Sequence, residues 1–387
     1  MPVAISPLDM IARLVAFDTT SRNSNLELIH FVRDYLDGHG IASTLIHDAS
    51  GAKANLFATI GPESDGGVVL SGHTDVVPVD GQPWGSDPFR VLERDGLLYG
   101  RGTADMKSFC AVALALVPEF RAAPLKVPVH LAFSYDEEVG CLGVHGLVDH
   151  LRRNGPRPSA IVVGEPTEMQ VVDAHKSMFL ARTTVFGLEA HSSATHRGVN
   201  AIVAAAELIA ELERVGEELK RTDNPDAARF DPPHDTLSIG LIEGGTATNI
   251  IPRRCCFHWG QRSIPGNDTH LAYRRLQEYC EKVLLPRMRA IHPEASVENE
   301  ILITAPGLRP EPGSPAEQLS LALVGSNRTH AVSYGTEAGI FQDVGIPTVV
   351  CGPGNIREAH KPNEFIEMTQ VEACIGFMRR LMQRLSS

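Results

Sequence analysis

Val68-Val69-Leu70-Ser71-Gly72-His73-Thr74-Asp75 is the stretch on which the fold turns. Its first four residues form a short apolar run that predicts a buried strand, and a glycine, a histidine and an aspartate follow directly at its C-terminal end. Similar runs recur at Val127–Phe133 and Ala160–Val163, with helical patterns near 106–122 and 141–153 between them. Strands separated by helices predict a largely parallel sheet covered on both faces. Upstream, Ser6 and Pro7 read as N-cap and first helical position before Leu8, Ile11, Leu14 and Val15. A second helix is predicted from about Asn25 to His39, stopped by Gly40.

The middle of the chain has a different rhythm. An alternating strand from Phe179 is followed by an Ala-rich helix near 199–220 and a Pro/Asp loop from Asp223 to Asp235. Strands near Leu237–Ile242 and Cys255–Gln261, a helix near 270–290 and a strand near Val297–Thr304 complete a β-α-β-β-α-β order. That order is ferredoxin-like. After Pro306 the α/β alternation resumes, with a strand at Pro347–Cys351 and a closing helix near 369–384. The expected class is therefore α/β, a mainly parallel mixed sheet flanked by helices, with an inserted α+β ferredoxin-like domain. The expected segments are 1–178, 179–304 and 305–387.

Composition narrows the function. The 387 residues carry 35 Lys+Arg against 47 Asp+Glu, a formal net charge of −12, and 43% are hydrophobic. A length of this order suggests about two to three domains, and the acidic balance argues against nucleic acid or an anionic membrane as partner. The longest apolar run, Phe109 to Pro118, is well short of the roughly 18 residues that span a bilayer. The N-terminus lacks the charge order of a signal peptide, so a cytoplasmic protein is expected. Seven cysteines, an odd number, do not read as a disulfide framework. Adjacent Cys255-Cys256 reads as buried strand.

Acidic residues and histidines recur at equivalent places. In extended backbone His73 and Asp75 point to the same side. Asp105 ends the glycine-rich Gly100-Arg101-Gly102-Thr103-Ala104 turn and leads into a helix. Asp136-Glu137-Glu138 follows one strand, Gly164-Glu165-Pro166 follows another, and His360 lies a few residues beyond Cys351. Each alone has a plain structural reading: a hydrogen-bonded pair, a helix-start acid, an N-cap, a turn. Together they gather at the strand C-termini, the edge where open α/β sheets bind ligands. Like charges collected there repel one another unless a cation neutralises them. Two histidines and the carboxylates suit a pair of divalent ions, of zinc type rather than calcium or magnesium. Of Glu137 and Glu138, one then serves as ligand and the other as base.

These motifs resemble those of the di-zinc aminoacylase/carboxypeptidase-like amidohydrolases. The resemblance rests on Gly72–Pro78, Tyr99–Lys107, Asp136–Glu138, Gly164–Thr167, Gly187–Ser193, Gly244–Asn249, Arg262–Gly266, Tyr334–Ala338 and Ala359–Pro362, and it covers most of the chain. It implies that Asp105 bridges two divalent ions, zinc or alternatively cobalt. His73 and Glu165 would complete one site, Glu138 and His360 the other. Glu137 would be the general base, and Asp75 would hold His73 and fix its tautomer. A cis Asp105–Met106 peptide is also implied.

The inserted domain would serve as lid and homodimer contact, with His191 reaching across the dimer to the oxyanion. Asn249, Arg262 and Thr336 would contact an N-acyl amino acid substrate. Removal of acetyl from N-acetyl-L-ornithine is the narrower implication, resting on Thr336-Glu337-Ala338 and Arg197–Ala201. Other acyl amino acids, dipeptides and a catalytically silent binding protein are the competing readings. Glu337 either pairs with a substrate ammonium or is a helix-start acid. One departure is visible: Gly260 stands where relatives carry an acidic residue two places before the arginine.

Overall fold

The computed structural model describes residues 4–153 and 155–387. Its strands are β1 (Ser43–His47), β2 (Ala54–Ile60), β3 (Val68–His73), β4 (Leu92–Arg94), β5 (Leu97–Tyr99), β6 (Val129–Ser134), β7 (Ala160–Pro166) and β8 (Val172–His175). They continue as β9 (Met178–Phe186), β10 (Thr236–Gly244), β11 (Arg254–Arg262), β12 (Ser296–Ala305), β13 (His330–Val332), β14 (Thr348–Gly352) and β15 (Phe365–Glu367). The chain forms two compact units. One comprises the chain up to Ala174 with Leu308–Ala331 and Thr336–Ser387, the other His175–Gly307 with Val332–Gly335. The expected boundaries at 178/179 and 304/305 differ from these by a few residues, and the short 332–335 segment goes with the second unit.

The first unit is built on a sheet of order β1-β2-β6-β3-β7-β14-β8-β13. Its centre is parallel, with β3 between β6 and β7, and β14 beside β7. Its flanks are antiparallel, where β1 pairs β2, β2 pairs β6 and β8 pairs β14. The central strands β3, β6, β7 and β14 are buried along their whole length, which is why they read as unbroken apolar runs. Sequence reading missed β1 and β2 as well as the strands of three or four residues, β8 included. The former are the edge pair of the sheet and the latter are too short for a period to register.

One helix decides where the chemistry sits. Lys107–Ala115 is buried throughout and packs closely over the sheet because two strand ends carry no side chain. A Cβ on Gly164 would meet the Phe109 ring at 2.1 Å, and one on Gly72 would meet Cys110 Sγ at 2.7 Å. Those two glycines bring the Asp105 turn down onto the ends of β3 and β7. The 106–122 pattern is two helices, Lys107–Ala115 and Val117–Ala122, with Pro118 in the first turn of the second. Pro7–Val15 starts as expected, with Ser6 Oγ accepting the Asp9 N–H at 3.2 Å.

The second unit is a four-stranded antiparallel sheet of order β10-β11-β9-β12. Helix Ala201–Leu219 and the helical stretch from Leu271 to Arg289 complete its β-α-β-β-α-β order, the ferredoxin-like arrangement. Its separate core gathers Phe179, Leu208, Leu212, Phe257, Trp259 and Leu276. The Trp259 indole N–H finds a partner in Thr183 Oγ1 at 3.0 Å. A Cβ at Gly260 would stand 2.8 Å from the Phe179 carbonyl oxygen, so β9 and β11 approach closely there.

All seven cysteines are free and buried. The peptides Asp105–Met106 and Asp231–Pro232 are cis. Among the described residues no helix is long and apolar enough to cross a membrane.

Candidate active site

Four strand ends of the first unit supply the site. His73 ends β3, Glu137 and Glu138 follow β6 through the turn at Asp136 (φ 54°), Glu165 lies in β7, and His360 (φ 63°) lies beyond β14. Asp105 joins them from the turn before helix Lys107–Ala115. Its two carboxylate oxygens face different histidines: Oδ1 is 3.0 Å from His73 Nε2, and Oδ2 is 3.1 Å from His360 Nε2. His73 Nε2 also lies 3.6 Å from Glu165 Oε1, and His360 Nε2 lies 3.0 Å from Glu138 Oε2. Two donor sets therefore meet at one carboxylate. Ligand atoms of His73, Glu137 and Glu165 fall within 4.8 Å of one another, as do those of His73, Asp105 and Glu138. Glu137 thus stands as close to the cluster as the expected ligands do.

The electrostatics of the cluster call for a cation. Burial, reinforced by Glu138, Asp105 and Asp75 and opposed by His73, pushes the Glu137 carboxyl up to about 8. Burial likewise raises Glu165 well above the usual carboxylate range, helped by Asp105 and Glu137, and raises Glu138. Asp105 goes the other way, because hydrogen bonds to His360 and His73 outweigh its burial. Hydrogen bonds to Asp105 and Glu138 push His360 up to about 10. The ring of His73, though its burial works against charge, is held protonated by Asp105 and Glu165. Imidazolium protons thus occupy the positions between carboxylates that a metal ion would take. Nitrogen and carboxylate donors in two sets sharing one aspartate fit a pair of zinc-type ions.

Asp75 behaves differently from expectation. It is the backbone carbonyl of Asp75, 2.9 Å away, that accepts from His73 Nδ1, while the Asp75 carboxylate is 3.6 Å from that nitrogen. The tautomer is still set from this residue, because Nδ1 carries the donating proton and Nε2 is left facing Asp105. The carboxylate instead fixes the base-bearing turn, accepting the Glu137 N–H at 3.1 Å and the Glu138 N–H at 3.3 Å. Ser21 Oγ donates to its other oxygen at 2.7 Å.

Glu337 and Thr336, expected as substrate contacts, are both 1% exposed. Ser71 Oγ and Ser134 Oγ donate to the two Glu337 carboxylate oxygens at 2.6 and 2.8 Å. Glu337 is enclosed beneath the ends of β3 and β6, held by two serine hydroxyls as a support of the strand ends would be. The Thr336 hydroxyl accepts the Ala338 N–H at 3.0 Å, just before the helix Ala338–Asp343. His191, Asn249 and Arg262 belong to the second unit, and all three are exposed there. Residues 191 and 250 form an isolated bridge, and the Ser192 N–H donates to the Asn249 carbonyl at 3.0 Å, so His191 and Asn249 share one loop pairing. The His191 ring is steadied by Ser193, whose hydroxyl lies 2.7 Å from Nδ1.

Sequence reading overlooked Cys141, Arg101, Glu364 and Gln82. The Cys141 thiol lies 3.3 Å from Glu137 Oε1 and donates to it. Its only signal was a position four residues past the base, within the same turn.

The match to known proteins agrees with this centre. Residues 69–384 match the model of peptidase family M20/M25/M40. The chain belongs to that family. An acetylornithine deacetylase of Myxococcus xanthus is 34% identical over 376 residues, covering 96% of this chain and 95% of that protein. One from Pasteurella multocida is 32% identical over 382 residues, covering 97% of each. Among solved structures, an M20 family metallo-carboxypeptidase from Sulfolobus solfataricus superposes with a TM-score of 0.78 at 17% identity, covering 99% of both chains. A dinuclear metal binding peptidase of the M20 family from Bacillus subtilis does so with a TM-score of 0.64 at 19% identity, covering 97% of this chain and 96% of that one. As a member of the M20/M25/M40 family, this chain is a hydrolase acting on amides.

Proposed function

We propose that the protein hydrolyses N2-acetyl-L-ornithine to L-ornithine and acetate, as a cytoplasmic homodimer serving arginine biosynthesis. The observation that carries the reaction is Asp105, with one oxygen toward His73 and the other toward His360. His73, Asp105 and Glu165 would hold one divalent ion, and Asp105, Glu138 and His360 the second, with zinc the first choice and cobalt able to replace it. Such ions polarise the amide carbonyl and acidify water. Glu137 takes the proton of the attacking water and delivers it to the departing amine, as a carboxylate beside the ligands but outside both donor sets can. The Asp75 carboxylate and the Cys141 thiol keep that base in place.

His191 would supply a donor for the oxyanion. Arg262 would bind the substrate carboxylate with its planar fork, and Asn249 would contact the amide, the second unit acting as a lid. The homodimer is supported by apolar side chains at the open edge of that unit's sheet. Leu241 and Ile242 on β10 and Val203 on the neighbouring helix are 63%, 54% and 60% exposed. The choice of acetylornithine rests on the full-length likeness to two acetylornithine deacetylases. A panel of N-acetylornithine, N-acetylcitrulline, N-acetylmethionine, N-succinyl-diaminopimelate and dipeptides tests it. The highest kcat/KM should fall on N-acetylornithine; a tenfold preference for any other member would transfer the assignment to that substrate.

A further inference from the structure

A buried ion pair outside the donor sets ties together the two loops that bear Asp105 and His360. Glu364 and Arg101 are 0% and 1% exposed, a costly place for two charges unless they are paired and hydrogen-bonded. Glu364 Oε1 accepts three backbone donors of one turn, the N–H groups of Gly102 (3.0 Å), Ala104 (2.9 Å) and Asp105 (3.1 Å). Its other oxygen accepts Arg101 Nη1 at 2.6 Å. One carboxylate thereby sets the peptide from which the shared aspartate projects.

The opposite end of the pair reaches His360. Arg101 Nη2 donates to Gln82 Oε1 at 2.6 Å, and Gln82 Nε2 donates to the His360 carbonyl at 3.0 Å. The guanidinium lies over the Trp84 ring, 5.1 Å from its centroid, and the Trp84 N–H also donates to Gln82 Oε1. A second tie runs alongside, from the Gly85 N–H to Asn363 Oδ1 at 2.7 Å. His360 needs such help. Its side chain is 54% exposed, and its loop leaves β14 through a single 3-10 turn, so local packing does little to hold it. Glu165 and His73, by contrast, lie within the sheet.

We propose that Glu364, Arg101 and Gln82 form a positioning clasp that sets the Asp105–Glu138–His360 donor set, and with it the affinity for the second divalent ion. None of the three touches substrate. The proposal rests on the two-metal reading above. Partners behind metal ligands change metal affinity by about 10- to 100-fold when removed. The Gln82 arm, which reaches only His360, is expected to act within that range on the second ion alone, whereas Glu364 acts through the shared Asp105 as well.

Cobalt titration of chelated protein, read by equilibrium dialysis with metal analysis, tests this in wild type, Glu364→Gln and Gln82→Met. Glu364→Gln keeps an acceptor for the three N–H groups but removes the charge facing Arg101. Gln82→Met keeps the side-chain length and removes the link to the His360 carbonyl together with the acceptor for Arg101 Nη2 and Trp84, but leaves the Glu364–Arg101 pair in place, which makes it the variant expected to fold if the first does not. Wild type should bind two equivalents. Gln82→Met should keep the tighter one and bind the weaker one about 10- to 100-fold less well. Glu364→Gln should weaken the second ion at least as much and the first as well through Asp105, and in both kcat should be restored at high cobalt with KM unchanged. A lowered Tm with both affinities unchanged would mean that the pair serves folding alone and would overturn the proposal. Wild type binding fewer than two equivalents would instead refute the two-metal reading.

Discussion

The two units treat their functional residues in opposite ways. In the first, His73, Asp105, Glu137 and Glu165 are at most 9% exposed, each at a strand end or turn tied down by backbone hydrogen bonds, and His360 with its 54% exposed side chain is the exception. In the second, His191, Asn249 and Arg262 are exposed, on a loop pairing and at the last residue of β11. Reaction chemistry depends on atoms fixed to within about half an ångström, and the rigid strand ends provide that. On the function proposed above, recognition of one acyl amino acid over another would fall to surface residues, which can vary without disturbing the sheet. The contrast implies that changes in the first unit act on turnover and metal, and changes in the second on turnover or substrate with metal untouched.

The largest effect should come from Glu137→Gln. Losing the base should lower kcat by about 10³- to 10⁴-fold while metal analysis still finds the wild-type content; loss of metal instead would move Glu137 into the ligand set. Next, His191→Ala should reduce kcat by about 10²-fold with cobalt affinity unchanged. A rise in KM alone would reduce His191 to a binding contact, and altered metal affinity would erase the contrast between the units.

Proton linkage gives the third test. Both Glu137, pushed up to about 8, and His360, pushed up to about 10, hold protons in the folded metal-free protein that the unfolded chain would already have released. Their folded values lie above unfolded ones of about 4.3 and 6.5, so the stability they contribute is present at low pH. It is lost as pH rises through about 8 and then about 10. Metal-free protein should therefore show a falling Tm from about pH 5 upward. Because metal must displace those protons, affinity should climb with pH by about tenfold per unit for each proton released. Calorimetry in buffers of differing ionisation enthalpy would count them, and no proton release would contradict the electrostatic account. The smallest effect should be that of Glu337→Gln, a few-fold loss of kcat/KM shared equally by N-acetylornithine and N-acetylmethionine. A selective loss for N-acetylornithine would restore Glu337 as a substrate contact.

Much of the first unit was legible in the sequence because its central strands are buried on both faces and end in polar residues that have no business in a core. Val68–Ser71 followed by His73 and Asp75 is such a case, and so is Ala160–Val163 followed by Glu165. What periodicity could not convey was which atom of a residue does the holding. Asp75 was expected to grip His73 by its carboxylate, whereas the fold uses its carbonyl for the ring and its carboxylate for the Glu137 turn. Glu337 was ambiguous in one dimension because its position before a helix says nothing of Ser71 and Ser134, which lie more than two hundred residues away and close over it. The Glu364–Arg101 pair was invisible for the same reason: its partners meet only once the sheet has formed.

The most direct test of the central claim is to strip the protein of metal, add cobalt back in measured amounts, and follow acetate release from N-acetyl-L-ornithine together with bound metal. The account predicts no turnover without metal and full activity as the second equivalent binds, with Asp105→Ala abolishing both. Undiminished turnover by metal-free protein, or by Asp105→Ala, would contradict it.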